Sequence, residues 1–293
     1  MTYSIVARDP ETGSLGVAVQ SHWFDVGGLV IAAEAGVGAI ATQAAPNLAV
    51  KPRGLAMLRD GRTADQVVAE LRAGDDLIDH RQFAVVGADG SAAAHTGASC
   101  MADAGHLVGD GFSVQANIMR SPAVWHAMKD TFEAVRGGGL GAALLATLDA
   151  AEAAGGDLRG RQSAAILVVP ATGGPEERLV DLRVDDGPEP LVELRRLLRL
   201  SDAYRLADEG DQLSAAGDAA GAADRWFRAF ETAPEKVELR FWAGVGLVGA
   251  GSPERGAALV RECVQQDDSW AELLRRLMPD PAAAESLRLL DAG

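Results

Sequence analysis

Residues Thr2 to Trp23 read TYSIVARDPETGSLGVAVQSHW. Tyr3 to Arg8 is rich in strand formers, and Asp9-Pro10-Glu11-Thr12-Gly13 is dense in turn residues. Asp9 reads as a turn former rather than an acid. Leu15 to Gln20 is a second run, with Leu15, Val17 and Val19 on one face and Gly16, Ala18 and Gln20 on the other. This pattern predicts a β-hairpin that starts at the second residue.

The segments beyond the hairpin extend the pattern. Leu29 to Ala33 and Val37 to Gln43 predict two strands joined at Glu34-Ala35-Gly36. Pro52 suits a helix start and Gly61 its end, and Thr63 is a candidate N-cap for a helix through Arg72. Gln82 to Gly87 and Ser91 to Thr96 predict strands turned by Asp89-Gly90, and Gly111 to Asn117 another. Helices over Ala123 to Val135 and Leu140 to Ala154 precede strands over Gln162 to Val169 and Arg178 to Val184. Strands and helices thus come in blocks, without the regular alternation of a doubly wound sheet. The expectation is an α+β fold with two antiparallel sheets layered with helices.

At Asp185-Asp186-Gly187-Pro188-Glu189-Pro190 the pattern changes to helical periods only. This acidic, Pro-rich joint predicts a boundary between domains 1–187 and 188–293. In the tail Gly210, Leu213, Ala222, Trp226 and Ala229 are matched 34 residues later by Gly244, Leu247, Gly256, Val260 and Cys263. Pro234 sits where a tetratricopeptide repeat closes, so the tail reads as two tetratricopeptide-like hairpins, the second degenerate. Glu272 to Leu277 is expected to be a capping helix. A tail of this kind offers a surface to a protein partner.

Composition excludes several function classes. A hydrophobic content of 48% is that of an ordered globular chain. The net charge of −15 argues against nucleic acid and against anionic lipid, both of which attract a basic face. Cys100 and Cys263 fall in different expected domains, so no disulfide is expected. The N-terminus lacks a charged leader and an apolar core of signal-peptide length, and no apolar run approaches the ~18 residues of a membrane span. A cytoplasmic protein without membrane contact is expected. No cofactor or metal is expected. Gly36-x-Gly38-x-x-Ala41 precedes strand formers rather than a helix, and His80, His95, His106 and His126 lack the spacing of a zinc site. Cys100 reads as structural, and Gly137-Gly138-Gly139 as a connector.

Thr2 is the most informative candidate for chemistry. Removal of an initiator Met before a small residue leaves Thr2 with a free α-amino group. That group, with a reference pKa near ~8, can serve as the base that a weak hydroxyl nucleophile needs.

Five segments make this specific: Thr2 to Trp23, AGVGAIATQA (Ala35 to Ala44), AGHLVGDGFSVQANIM (Ala104 to Met119), GGDLRGRQSAAILVV (Gly155 to Val169) and VDLRVDD (Val180 to Asp186). Together they resemble a bacterial family, domain of unknown function 1028, which is grouped with the N-terminal-nucleophile (Ntn) hydrolases. The resemblance spans about residues 1–190. It implies the four-layer αββα Ntn-hydrolase-like sandwich, and a hydrolase of a small amide or peptide in which Thr2 is the nucleophile and its own amine the base. It further implies that Gln20, Ser21 and His22 orient the amine or hold substrate. A backbone N–H of Thr42-Gln43-Ala44 with the Asn117 amide would form an oxyanion hole, and Gln162 and Ser163 would bind substrate. Ntn domains often pack as dimers, so a homodimer is one expectation. The chain departs from proteasome-type proteases, which place a lysine in a strand. Its Lys51, Lys129 and Lys236 all lie outside Leu29 to Gln43, which favours a small amide over a protein substrate. The alternative is a non-catalytic binding or scaffold protein that recruits a partner through the tail.

Overall fold

The opening hairpin forms at the expected residues. β1 (Thr2–Arg8) pairs antiparallel with β2 (Leu15–Ser21), Thr2 opposite Ser21 and Arg8 opposite Leu15. Asp9 makes the turn, its carboxylate accepting the backbone N–H groups of Glu11 at 2.8 Å and Thr12 at 3.1 Å. These positions come from a computed structural model that describes residues 2–291.

β1 is an interior strand. Its other edge pairs with β8 (Phe112–Asn117), which sets Thr2 opposite Asn117. With β7 (Gly105–Gly109), β9 (Ser163–Val169) and β10 (Val180–Val184) these strands make a six-stranded antiparallel sheet in the order β10-β9-β2-β1-β8-β7. A second antiparallel sheet has the order β3 (Ile31–Glu34), β4 (Gly38–Ala44), β5 (Arg81–Gly87), β6 (Ala92–Thr96).

Strand alternation sorts the side chains into three apolar clusters. Val6, Val17, Val19, Ala39, Ala41, Ala84 and Leu167 meet between the sheets. On the outer face of the larger sheet, Tyr3, Ile5, Phe112 and Ile166 pack beneath α4 (Ala123–Val135) and α5 (Leu140–Ala153). On the outer face of the smaller sheet, Ile40, Phe83 and Val85 pack beneath α2 (Val50–Arg59) and α3 (Ala64–Ala73). The α3 start is as expected: Thr63 caps it in a reciprocal capping box with Gln66. No helix among the described residues is long and apolar enough to cross a membrane.

Two local expectations need correction. Leu29 and Val30 belong to a short helix, α1 (Val26–Val30), and the strand begins at Ile31. Asp25 caps this helix through the Gly28 N–H, and Gly27 lies so close to β9 that a Cβ would stand 2.7 Å from that of Ala165. The edge strand β7 was not expected at all.

The chain divides into compact units at Leu198/Arg199. α6 (Pro190–Ala215) begins just past the acidic joint, and its first turns contribute Leu191, Leu194 and Leu198 to the cluster under α4 and α5. The second unit continues with α7 (Ala219–Thr232), α8 (Val237–Gly249), α9 (Pro253–Gln266), α10 (Ser269–Arg276) and α11 (Pro281–Asp291). The capping helix expected from Glu272 starts earlier, and α11 follows it.

The 34-residue period is repeated in the backbone. Asp218 N–H donates to Leu213 O at 2.9 Å, and Ser252 N–H to Leu247 O at 2.8 Å. Gly217 and Gly251 take left-handed φ of 83° and 84° at the same point of each turn. A Cβ on Gly210 would meet the Trp226 ring at 2.6 Å, and one on Gly244 would meet Val260 at 2.7 Å. Gly256 is tighter, since its Cβ would stand 2.4 Å from the carbonyl oxygen of Gly244. Gly256→Val should therefore destabilise the helical unit by ~1–3 kcal/mol through overpacking. Thermal unfolding checks this against Gly137→Ala, which meets nothing within 4 Å and should melt like the parent.

Candidate active site

The inter-sheet layer changes character along its length. One end is apolar. At the other, the inward positions of buried strands are polar: Thr2 and Ser4 on β1, Ser21 on β2, Gln115 and Asn117 on β8, Gln43 on β4 and Gln82 on β5. Buried polar groups must find partners or destabilise the fold, and these find one another.

Gln82 is the hub. Its Oε1 accepts from Gln43 Nε2 at 2.7 Å and Asn117 Nδ2 at 2.9 Å. Its Nε2 donates to Thr96 Oγ1 at 2.9 Å and to Ala116 O at 2.9 Å. Gln43 Oε1 accepts from Ser4 Oγ at 2.7 Å, which in turn accepts from Gln115 Nε2 at 2.6 Å. The network ends on Thr2, whose carbonyl oxygen accepts from Gln43 Nε2 at 3.3 Å and Asn117 Nδ2 at 3.4 Å. Two amides thus fix the backbone of the first described residue.

The Thr2 hydroxyl lies 3.1 Å from the Ser21 hydroxyl. Thr2, Ser21, Gln43 and Ala44 open onto a pocket of about 140 Å³ whose other walls are Trp23, Val26, Leu29, Val30, Pro46 and Arg159. A second pocket of about 180 Å³ is lined by Ala44, His80, Cys100, Asn117 and Ile118. Asn117 Oδ1 is buried without a hydrogen-bond partner among the described residues. The positive-φ residues other than glycine among the described residues are Asp25 at 48°, Ala44 at 67° and Ile118 at 57°. Ala44 ends β4 directly after Gln43, and Ile118 directly follows Asn117. Such backbone costs of order 1–3 kcal/mol each and concentrates at functional sites.

The expected site residues separate into groups. Thr2, Ser21, Gln43 and Asn117 come together. Asn117 has both amide hydrogens committed, to Thr2 O and to Gln82, so it holds the threonine rather than standing open as an oxyanion donor. Gln20 pairs with Tyr3, and alternation turns it to the face opposite Thr2. There the Tyr3 hydroxyl donates to Glu152 at 2.8 Å, and both raise its pKa well above the ordinary phenol value, burial first and Glu152 second. Neither amide atom of Gln20 has a partner among the described residues. His22 is half-buried, with Nδ1 3.2 Å from Arg161 O. Ser163 braces the β2–α1 connection, donating to Trp23 O at 2.5 Å and accepting from Val26 N–H at 3.1 Å. The Gln162 side chain bonds Asp186 at 3.1 Å.

The remaining candidates have other work. Lys51 Nζ donates to Gly28 O and Leu29 O at the end of α1, and burial and then Arg183 lower its pKa. The Cys100 thiol is pushed up by burial and donates to Arg81 O, which keeps it protonated. Thr96 Oγ1 lies 2.8 Å from His106 Nδ1, and burial and then His95 lower the His106 pKa. No group of three or more His, Cys, Asp or Glu among the described residues is arranged to hold a metal.

A family model described as a family of unknown function, DUF1028, matches residues 2–194. The chain belongs to the DUF1028 family. The match takes in every strand and every site residue above. A crystal structure of a DUF1028 protein from Silicibacter pomeroyi is similar, with 34% identity over 68% of this chain and 88% of that one, and a TM-score of 0.62. Anbu, an ancestral β-subunit from Yersinia bercovieri, is 13% identical over 66% of this chain and 91% of that one, with a TM-score of 0.33, too slight a likeness to carry an argument. No curated protein matches the chain.

Residues that went unnoticed in the sequence complete this DUF1028 site. Gln82, Ser4 and Gln115 build its support. Asp157 is buried and accepts the His22 N–H at 3.1 Å, the Arg159 N–H at 2.8 Å and the Arg159 guanidinium at 3.3 Å. It thereby ties Arg159 to the strand end that carries Ser21. Both residues sit in the segment GGDLRGRQ, Gly155 to Gln162, where Asp followed by Arg two residues on was the available signal.

Proposed function

We propose that this DUF1028 chain is an N-terminal-nucleophile hydrolase that cleaves a small amide or peptide through Thr2 once Met1 is removed. One observation carries the reading: Thr2 begins an interior strand, its carbonyl gripped by two buried amides, and it lines a pocket beside Ser21. The two sheets with helices on their outer faces support the αββα sandwich of that group.

The α-amine takes the hydroxyl proton as Oγ1 attacks the amide carbon. The carbon–nitrogen bond breaks, the leaving nitrogen departs with that proton, and an acyl ester remains on Thr2. Water then hydrolyses the ester, releasing a carboxylic acid and restoring the hydroxyl. With the Asn117 amide committed, we assign the oxyanion contact to a backbone N–H at Gln43-Ala44, where the strained Ala44 borders the pocket. An electrophile that mimics an amide should add to Thr2, and Thr2→Ala protein should not label at all.

We also read the helical unit as tetratricopeptide-like and as the part that recruits a partner. The repeated turns at Gly217 and Gly251 support the first point. A cavity of about 480 Å³ lined by Trp226, Trp242, Val245 and Leu277 supports the second.

A further inference from the structure

The pocket beside Thr2 is small and mostly apolar. At about 140 Å³ it is well below the ~300 Å³ at which sites for drug-sized ligands begin. Val26, Leu29, Val30, Pro46 and Trp23 supply the apolar wall, and no acidic side chain lines it among the described residues. Arg159 is the one charged residue among those lining residues. A third of its side chain is exposed, whereas the carboxylate of its partner Asp157 is fully buried.

That pairing has a physical purpose. Asp157 is already held by the backbone N–H groups of His22 and Arg159, so it is a fixed anchor rather than a mobile surface acid. It grips the guanidinium at 3.3 and 3.5 Å and so limits the rotamers of a long side chain. A guanidinium held still at the wall of an apolar pocket suits a planar anion, which it can bind with paired hydrogen bonds. One cation, itself beside a carboxylate, matches a singly charged carboxylate better than a doubly charged phosphate.

We infer that this pocket takes a small amide bearing a carboxylate of its own, and that Arg159 recognises that carboxylate while Thr2 faces the amide. Calling the ligand a substrate rests on the hydrolase reading; the binding preference does not. Arg159 is then a specificity-determining residue.

Equilibrium binding by calorimetry separates the two. The probes are glutaramate, which carries a carboxylate and an amide, the neutral glutaramide of the same skeleton, and the phosphonate counterpart of glutaramate. In Thr2→Ala protein, where no turnover interferes, glutaramate should bind at least ~10-fold more tightly than glutaramide, the loss expected when a charge-assisted hydrogen bond goes. Adding Arg159→Gln should bring the ratio close to one, and Arg159→Lys should keep part of it. Asp157 retains two backbone donors in both variants, and a melting curve verifies that each is folded. Equal affinities, no binding of either probe, or a preference that survives Arg159→Gln would overturn the inference. Tighter binding of the phosphonate would overturn the carboxylate class. Hydrolysis of glutaramate by the unmodified protein is a separate readout. If that protein prefers glutaramate through Arg159 yet cleaves no amide, the hydrolase reading fails and the inference stands.

Discussion

Thr2→Ala should lower amide turnover by at least ~10³-fold, because it deletes the nucleophile and leaves only binding and polar contacts. Stability should hardly change. The substitution removes a hydroxyl that lies 3.1 Å from Ser21, a contact worth ~0.5–1.5 kcal/mol. The carbonyl bonds from Gln43 and Asn117 involve the backbone and survive. Thr2→Ser keeps a hydroxyl and should retain measurable turnover. Steady-state kinetics alongside thermal unfolding checks both points. A protein that keeps full turnover without the Thr2 hydroxyl uses some other nucleophile.

Gln82→Leu should have the opposite profile, with a large loss of stability. Leu nearly fills the volume but removes an oxygen that accepts two amides and a nitrogen that donates to Thr96 and Ala116. At ~1–3 kcal/mol for each buried group left wanting, the cost is ~3–5 kcal/mol. At roughly 2–4 °C per kcal/mol for a unit of this size, the melting temperature should fall by about 10 °C. Turnover should fall too, because Gln43 and Asn117 lose the anchor that aims them at the Thr2 carbonyl. A melting temperature within 2 °C of the parent would mean that the network is not a structural support.

These two residues also mark how far the sequence can be read. The placement of Thr2 at the start of a strand, opposite Ser21, is legible because the hairpin is local. A turn dense in Asp, Pro and Gly joins two strand-forming runs, and the register between Thr2 and Ser21 follows from it. The same register held a warning about Gln20. It lies opposite Tyr3, so its side chain points away from Thr2, and two-residue alternation alone says so. The Thr63 cap and the helix over Ala123–Val135 were equally local. Gln82 was not legible, because its role depends on one sheet packing on another, and no spacing in the chain encodes that distance. Arg159 and Asp157 lie more than a hundred residues from Thr2 and reach it through the pairing of β2 with β9 and a bridge between Asp157 and Met119 just past β8. The short helix Val26–Val30 escaped for a related reason. Its last two residues, Leu29 and Val30, run on into Ile31 as one apolar stretch, and five residues are too few to display a helical period.

Everything proposed for Thr2 depends on its α-amine. With Met1 attached, that nitrogen is an amide, which has no basic lone pair and cannot take the hydroxyl proton. Intact-mass spectrometry of the purified native protein, with the N-terminal peptide sequenced, is the direct test. The expected result is a mass short by one methionine and a chain that begins at Thr2. Quantitative retention of Met1 on protein that hydrolyses amides would contradict it.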